Sequence, residues 1–295
     1  LIMIIHDYYL SRLSVTDRGT KDKEKEYKKW LEKEFIIPLA NTKKEIMDKL
    51  RKESDETIFY PQPEDLQNLP SDSALLKISF VLKKPYTSKD EAEFRILNNN
   101  IIENPIARDK FTGKPYIKPT TWKGNLRFAA GKVNAENEKK KRIIKRLFGS
   151  ESEEKENHLK GRLYFFPTFF KKNAKKDVIT PLKRSTRTPA NGPISFEVMK
   201  PGDSADFHLL YLPYPKGDDF KEEKVAEDLN FLADALRLMF YTYGFSAKKT
   251  SGFGVIEKKL NEGKLWIKIG TGVEEKDFFE LDDLNKKIEE LKLKQ

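Results

Sequence analysis

Lys123 and Arg127 stand four residues apart in TTWKGNLRF, a spacing that places two cations on one face of a helix. Lys118 adds a third cation in the approach to that helix, whose amino-terminal N–H groups and dipole also favour a phosphate. A second cationic stretch, GFSAKKTSGFG from Gly244 to Gly254, sets Lys248, Lys249, Thr250 and Ser251 between glycines. Gly252 and Gly254 remove Cβ atoms where another backbone could come close, the lysines supply charge and the hydroxyls supply donors. Its glycine spacing and its position are not those of a Walker A or dinucleotide loop, so a nucleotide cofactor is not expected. Residues 171–187 hold seven cations (Lys171, Lys172, Lys175, Lys176, Lys183, Arg184, Arg187) against one acid, Asp177. Such a loop reaches along a polyanion through salt-sensitive contacts. Each stretch also has a ligand-free reading: a solvated helix start, a tight turn into a hairpin, a basic surface loop.

Acid–base chemistry is thinner. RNA cleavage needs a group to activate a hydroxyl or a water, and charge to stabilise the phosphorane. Glu103, Asp109 and Asp177 are the acids nearest the basic stretches, with Arg108 beside them. His6, His158 and His208 are far apart and show no metal-ligand spacing; His208 alternates within a strand and reads as structural. There is no cysteine, which excludes disulfides, thiolate zinc sites and a cysteine nucleophile. No cofactor is expected, and Mg²⁺ would enter only with cleavage.

These cations sit in a chain of 295 residues with 57 Lys+Arg, 47 Asp+Glu and a net charge of +10. The surplus favours polyanionic partners, although 35% charged residues also suits a Lys/Glu-rich thermophile. No apolar run approaches the roughly 20 residues of a membrane span. LIMII at the start is too short for a signal sequence and reads as a strand, and a cytoplasmic location is expected.

The elements that must position the cations follow from periodicity. Residues 21–55 read as charged helices broken at Pro38, and 61–73, with three prolines, as a loop. Ala74–Tyr86 alternates as a strand with Leu76, Ile78, Phe80 and Leu82 on one face. A helix capped by Thr120 or Thr121 runs through Trp122, Leu126 and Ala129, and Glu136–Phe148 forms another. Gly161–Phe170 is a strand by aromatic content; 171–193 is a polar excursion; Ile194–Tyr214 holds two strands joined by a Pro-Gly turn. Val225–Tyr243 is an amphipathic helix stopped by Gly244. A hairpin turning at Asn261–Gly263 and a C-terminal helix close the chain. The order predicts an α+β fold with a βαββαβ, ferredoxin-like (RRM-like) core, in three parts: a mainly helical extension over 1–73, the core with its insertion at about 171–193 over 74–270, and a helix over 271–295.

Four ordered segments resemble the RAMP superfamily, the repeat-associated proteins of CRISPR systems. GKPYIKPTTWKGNLR (Gly113–Arg127) is similar to its G-x-PYIPGSSLKGxxR segment, and FGS at Phe148 followed by GRLYFF at Gly161 to the next. FEVMKPGDSADFHL (Phe196–Leu209) resembles the family's V-x-x-G-T-x-F-x-F hairpin, and GFSAKKTSGFG its C-terminal glycine-rich loop. Residues 1–70 lie outside the resemblance. It implies a ferredoxin-like subunit of a type III CRISPR effector, Cmr- or Csm-like, that lines up on a guide RNA in antiviral defence. Its partners would be crRNA, target RNA and other RAMP subunits. Lys118, Lys123, Arg127, Lys248, Lys249, Thr250 and Gly252 would then touch the crRNA backbone. Lys183, Arg184 and Arg187 would sit on a thumb-like insertion against the guide–target duplex or a neighbouring subunit. The sequence departs from the pattern at Trp122, where a small residue is common. In ENPIARD, Glu103 occupies the place of the Asp of target-cleaving members. The resemblance thus implies a structural crRNA-binding subunit, the alternative being an endoribonuclease acting on target RNA through Glu103 or on precursor crRNA through a histidine.

Overall fold

The computed structural model describes residues 56–88, 95–97, 100–102, 104–110, 112–150, 159–183, 185–190, 192–214 and 224–291, with isolated positions at Lys33, Glu45 and Lys49. The chain divides into two units, Leu1–Lys49 with Ile96–Ile101 and Leu50–Arg95 with Ile102–Gln295; apart from residues 96–101, the second carries everything considered below. The opening strand and the helices expected before residue 56 lie outside the described residues.

Eleven strands and four α-helices are described: β1 (Ala74–Val81), β2 (Arg95–Leu97), β3 (Asn100–Ile102), β4 (Tyr116–Ile117), α1 (Pro119–Ala130), α2 (Asn137–Phe148), β5 (Leu163–Phe165), β6 (Thr168–Phe169), β7 (Lys175–Ile179), β8 (Ile194–Val198), β9 (Ser204–Tyr211), α3 (Val225–Leu238), β10 (Glu262–Ile269), β11 (Gly272–Phe278) and α4 (Leu284–Glu289). A five-stranded sheet runs in the order β11-β10-β1-β9-β5, and β2-β3, β4-β6 and β7-β8 form pairs. Every neighbour in the large sheet is antiparallel. The architecture is mixed α+β, as the sequence predicts.

Alternation in β1 sends Leu76, Ile78 and Phe80 into one core with Phe207 and Leu209 of β9 and with the apolar stripes of α1, α2, α3 and α4. The opposite face of the sheet is covered as well. Leu66, on a 3-10 helix over Pro63–Asn68, packs with Leu75, Leu210 and Trp266. Lys268 Nζ donates to the carbonyls of Gln67 and Leu69 at 2.8 and 2.6 Å, and the Tyr60 ring stacks on His208 at 4.0 Å. Burial pushes the His208 imidazole down to about 4, with Lys77 adding to the depression and Asp206 opposing it. It is a neutral, packed side chain near pH 7.

Three expectations need correction. The last hairpin turns between β10 and β11, at Gly270 with φ +61°, and not at Asn261–Gly263. Gly263 lies inside β10 opposite Phe278, whose ring would stand 2.5 Å from a Cβ there; the glycine makes room for an aromatic. Residues 272–278 form a strand, so the terminal helix is confined to Leu284–Glu289. The two strands joined by the Pro201-Gly202 turn belong to different sheets, because β8 pairs with β7 and β9 with β1.

A buried ion cluster ties α2, β5, β9 and α3. Asp228 accepts from Arg146 Nε at 2.8 Å, from Arg162 Nη1 at 2.9 Å and from the Tyr211 hydroxyl at 3.0 Å. Glu227 takes the other side of Arg146 at 2.5 Å. Two guanidiniums against two carboxylates balance the charge of this cluster within the core, where a lone charge would be costly.

Candidate nucleic-acid interface

Lys118 is extended, φ −66° and ψ 143°, as a residue before proline prefers, and Pro119 at the first helical position has its φ preset for α1. The cap is therefore Lys118, without a side-chain bond, and neither Thr120 nor Thr121. Its carbonyl accepts from the N–H groups of Thr121 at 2.9 Å and Trp122 at 3.2 Å, and Pro119 has no N–H. This end of the helix offers fewer backbone donors to a phosphate than the sequence implied, which leaves the task to side chains. Trp122, Leu126, Ala129 and Ala130 are buried, so Lys123 is turned out to solvent and Arg127 lies half-buried at the margin.

The glycine stretch follows α3, which ends in a π turn over Met239–Tyr243. Gly244, Gly252 and Gly254 all have positive φ, +72°, +75° and +79°. A Cβ on Gly244 would meet the Phe253 carbonyl oxygen at 2.2 Å, and one on Gly254 the Ser246 nitrogen at 2.6 Å. Those two glycines let the loop close on itself. Gly252 opens onto free space and ends a 3-10 turn over Lys249–Ser251. The loop is pinned to the chain after β1: Ala247 N–H donates to the Thr87 carbonyl at 3.0 Å, Gly254 N–H to that of Pro85 at 2.7 Å, and the Ser246 hydroxyl to that of Thr87 at 2.9 Å.

Helix and loop meet. Asn125 Nδ2 donates to the Phe245 carbonyl at 3.2 Å. The Trp122 and Phe245 rings lie 4.6 Å apart, Trp122 also touches Phe207 at 4.7 Å, and its Nε1 donates to the Thr168 hydroxyl at 2.9 Å. On the surface, Lys249 Nζ stands 4.4 Å over the Phe128 ring. Lys248 Nζ lies 5.4 Å over Phe196 of β8. The structure thus joins α1, which carries Lys123 and Arg127 and has Lys118 at its cap, to the loop that carries Lys248, Lys249, Thr250 and Gly252, with Lys249 in direct contact with an α1 side chain. The tryptophan that departs from the family pattern is the post on which both parts rest. Sequence reasoning missed Asn125 and Phe128; an Asn one turn after Thr121 and an aromatic next to Arg127 were the only signals.

The insertion is a two-stranded ribbon. β7 and β8 pair from Lys175↔Val198 to Ile179↔Ile194, and a Leu182↔Pro189 bridge extends it. Lys183 and Arg187 are exposed at its tip; Arg187 is left-handed at φ +55°, and its N–H donates to the Lys183 carbonyl at 2.9 Å. Arg184 lies outside the described residues. Two of the seven cations are held at the base, Lys171 by Asp206 and Lys172 by Asp203, each at 3.3 Å.

The acids near these surfaces have local duties. Arg108 donates to Glu197 Oε1 at 2.7 Å in a buried pair, and Ile106 N–H donates to the other carboxylate oxygen at 3.1 Å. Asp109 accepts from Thr112 N–H at 2.6 Å, closing a turn, and Asp177 from Val178 N–H at 2.8 Å. Glu103, His6 and His158 lie outside the described residues. Among the described residues no group of three or more His, Asp or Glu side chains is placed to hold a metal, and no helix is long and apolar enough to cross a membrane.

These features define an α+β protein whose cation-bearing helix is docked on a glycine-closed, cation-bearing loop. The sequence profile of the RAMP superfamily matches residues 89–257, more than half of the chain, and the chain belongs to that superfamily. No curated protein matches it. Among solved structures it is similar to a chain of the type III-B Cmr-beta complex bound to cognate target RNA, with 16% identity and TM-score 0.47 over 86% of this chain and 79% of that one. It is also similar to a chain of the Csm3–Csm4 subcomplex of a type III-A CRISPR-Cas interference complex, with 15% identity and TM-score 0.46 over 75% and 97%. A chain of a CRISPR RNA-guided surveillance complex gives 11% identity and TM-score 0.43 over 67% and 70%.

Proposed function

We propose that this chain is a crRNA-binding structural subunit of a type III CRISPR effector, working in the cytoplasm with other RAMP subunits and gripping the guide backbone by its phosphates. The observation that carries the reading is the joining of α1 to the glycine loop through Asn125, Trp122 and Lys249. It anchors the helix that carries Lys123 and Arg127 to the loop that carries Lys248 and Lys249, and a rigid base of this kind suits the positioning of a phosphate backbone. The order β10-β1-β9-β5, with α1 before β5 and α3 before β10, supports a ferredoxin-like core. In an RRM the outer sheet face binds bases; here Tyr60, Leu66 and Leu69 lie over its centre, so RNA is directed to α1 and the loop. The ribbon, with Lys183, Arg184 and Arg187, would reach to the guide–target duplex or a neighbouring subunit. The endoribonuclease reading, with Mg²⁺ as its metal, rests on Glu103.

The test is binding of labelled repeat-derived RNA by the full chain across a salt series, with cleavage read in the same tubes with and without Mg²⁺. The double variant K123A/R127A is expected to weaken binding at least about tenfold. It should lower the slope of log K against log salt by about 1.4, two single-strand phosphate contacts. Unchanged affinity and slope would sink the assignment, and cleavage abolished by Glu103→Gln would replace it with the enzyme.

A further inference from the structure

Phe128 is an unusual member of α1. Its neighbours Leu126, Ala129 and Ala130 are buried, yet this ring is 43% exposed in a helix with a core available to it. It is held in place nonetheless: Tyr243 meets it edge-on at 5.3 Å, Lys249 Nζ stands 4.4 Å over the ring and Lys132 Nζ 5.7 Å from its centroid.

One turn earlier lies Gly124, inside α1. A helix-interior glycine is among the least favourable residues for a helix, and packing does not require this one, since nothing stands within 4 Å of where its Cβ would be. Residues four apart share a helix face, and a helical side chain leans over the turn that precedes it. Gly124 therefore leaves bare the strip of surface next to the Phe128 ring. An exposed aromatic braced by a perpendicular ring, with two amines beside it and a cleared strip in front, has the composition of a base-stacking platform in single-strand binders.

Resting on the crRNA-binding reading, we infer that Phe128 is a stacking platform for one unpaired nucleobase of the bound RNA. Lys249 and Lys132 flank that base and meet its phosphate. Lys249 occupies the ring in the free protein through a cation–π contact and turns aside to the backbone when the base stacks. The site is specific for single-stranded over duplex RNA and indifferent to which base it holds, because every base has a π-face.

The test compares the full chain with Phe128→Ala, Phe128→Trp and Gly124→Leu variants. The probes are an unstructured oligoribonucleotide, the same oligomer with abasic positions, and its perfect duplex. Phe128→Ala is expected to weaken single-strand binding about tenfold with the salt slope unchanged, and Phe128→Trp to restore it. Gly124→Leu, which raises helix stability, should nevertheless weaken single-strand binding because its side chain covers the strip. None of the three should alter binding of the abasic oligomer or the duplex. Equal losses on abasic and base-bearing RNA, or no loss in Phe128→Ala, would overturn the stacking inference while the phosphate grip stands. Failure of the unaltered chain to bind any of the probes would overturn the grip and the platform together.

Discussion

The α1–glycine-loop surface and the tip of the β7–β8 ribbon are alike in the sequence, both cationic and both rich in turn residues. In the structure they are opposites. Lys123 and Arg127 stand on a helix whose other face is fixed by Trp122 and Leu126, both fully buried, and the facing loop is closed by its own glycines. Lys183 and Arg187 stand on a two-stranded projection whose apolar residues Val178 and Leu182 are 53% and 56% exposed. Extended chain covers about 3.3 Å per residue, so Leu182 lies up to ~17 Å beyond Asp177. Charge on a braced surface fixes the register of a backbone, whereas charge on an arm gives reach and long-range attraction.

The strongest way to break this contrast is to remove the brace. Trp122→Ala deletes a fully buried ring in contact with Phe80, Phe207, Phe240 and Phe245 and leaves the Thr168 hydroxyl without its donor. The expected loss is about 3–5 kcal/mol of folding stability, read by urea denaturation, with RNA binding lost in parallel. Removal of the ribbon-tip charges by Lys183→Ala and Arg187→Gly should leave the denaturation midpoint within error, since glycine suits the left-handed backbone at 187. A stable Trp122→Ala protein with unaltered binding would mean that the helix surface is no more braced than the arm.

The glycines allow a finer cut. Gly254→Ala puts a methyl into the Ser246 and Phe245 backbone, and is expected to cost more than about 1 kcal/mol and to displace Lys248 and Lys249. Gly252→Ala meets open space and carries only the cost of its positive φ, about 1 kcal/mol. Thermal unfolding and RNA affinity measured side by side should rank Gly254→Ala below Gly252→Ala on both. The reverse order in affinity would give Gly252 the direct backbone contact that the sequence suggests, and would make the loop a gripping element in its own right.

The cations of both surfaces were legible in the sequence because charge, helical spacing and glycine clustering are local properties. So were the inward positions Trp122, Leu126 and Ala129, and the strand face of Leu76, Ile78 and Phe80. What could not be read was set by partners distant in the chain. Gly263 looks like a turn until Phe278 is placed opposite it. The 171–193 stretch looks unstructured until β7 finds β8. Lys171 and Lys172 look available until β9 and the turn before it bring Asp206 and Asp203 to them. Asn125 and Phe128 acquire meaning only when the glycine loop, about 120 residues later, is set against α1.

The smallest expected effect is the most discriminating. If the ribbon acts as an arm, the tip variant should lose only a few-fold in RNA affinity at low salt, and the loss should vanish as ionic strength rises, because exposed charges separated from their partner by more than a Debye length are screened. The α1 variant should keep a residual deficit at about 0.3 M salt, where close phosphate contacts still contribute. Fluorescence anisotropy with the same RNA at both salts reads the difference. Parallel behaviour of the two variants at every salt would mean that ribbon tip and helix contact the backbone in the same way, and that the ribbon folds down onto the RNA as a second clamp.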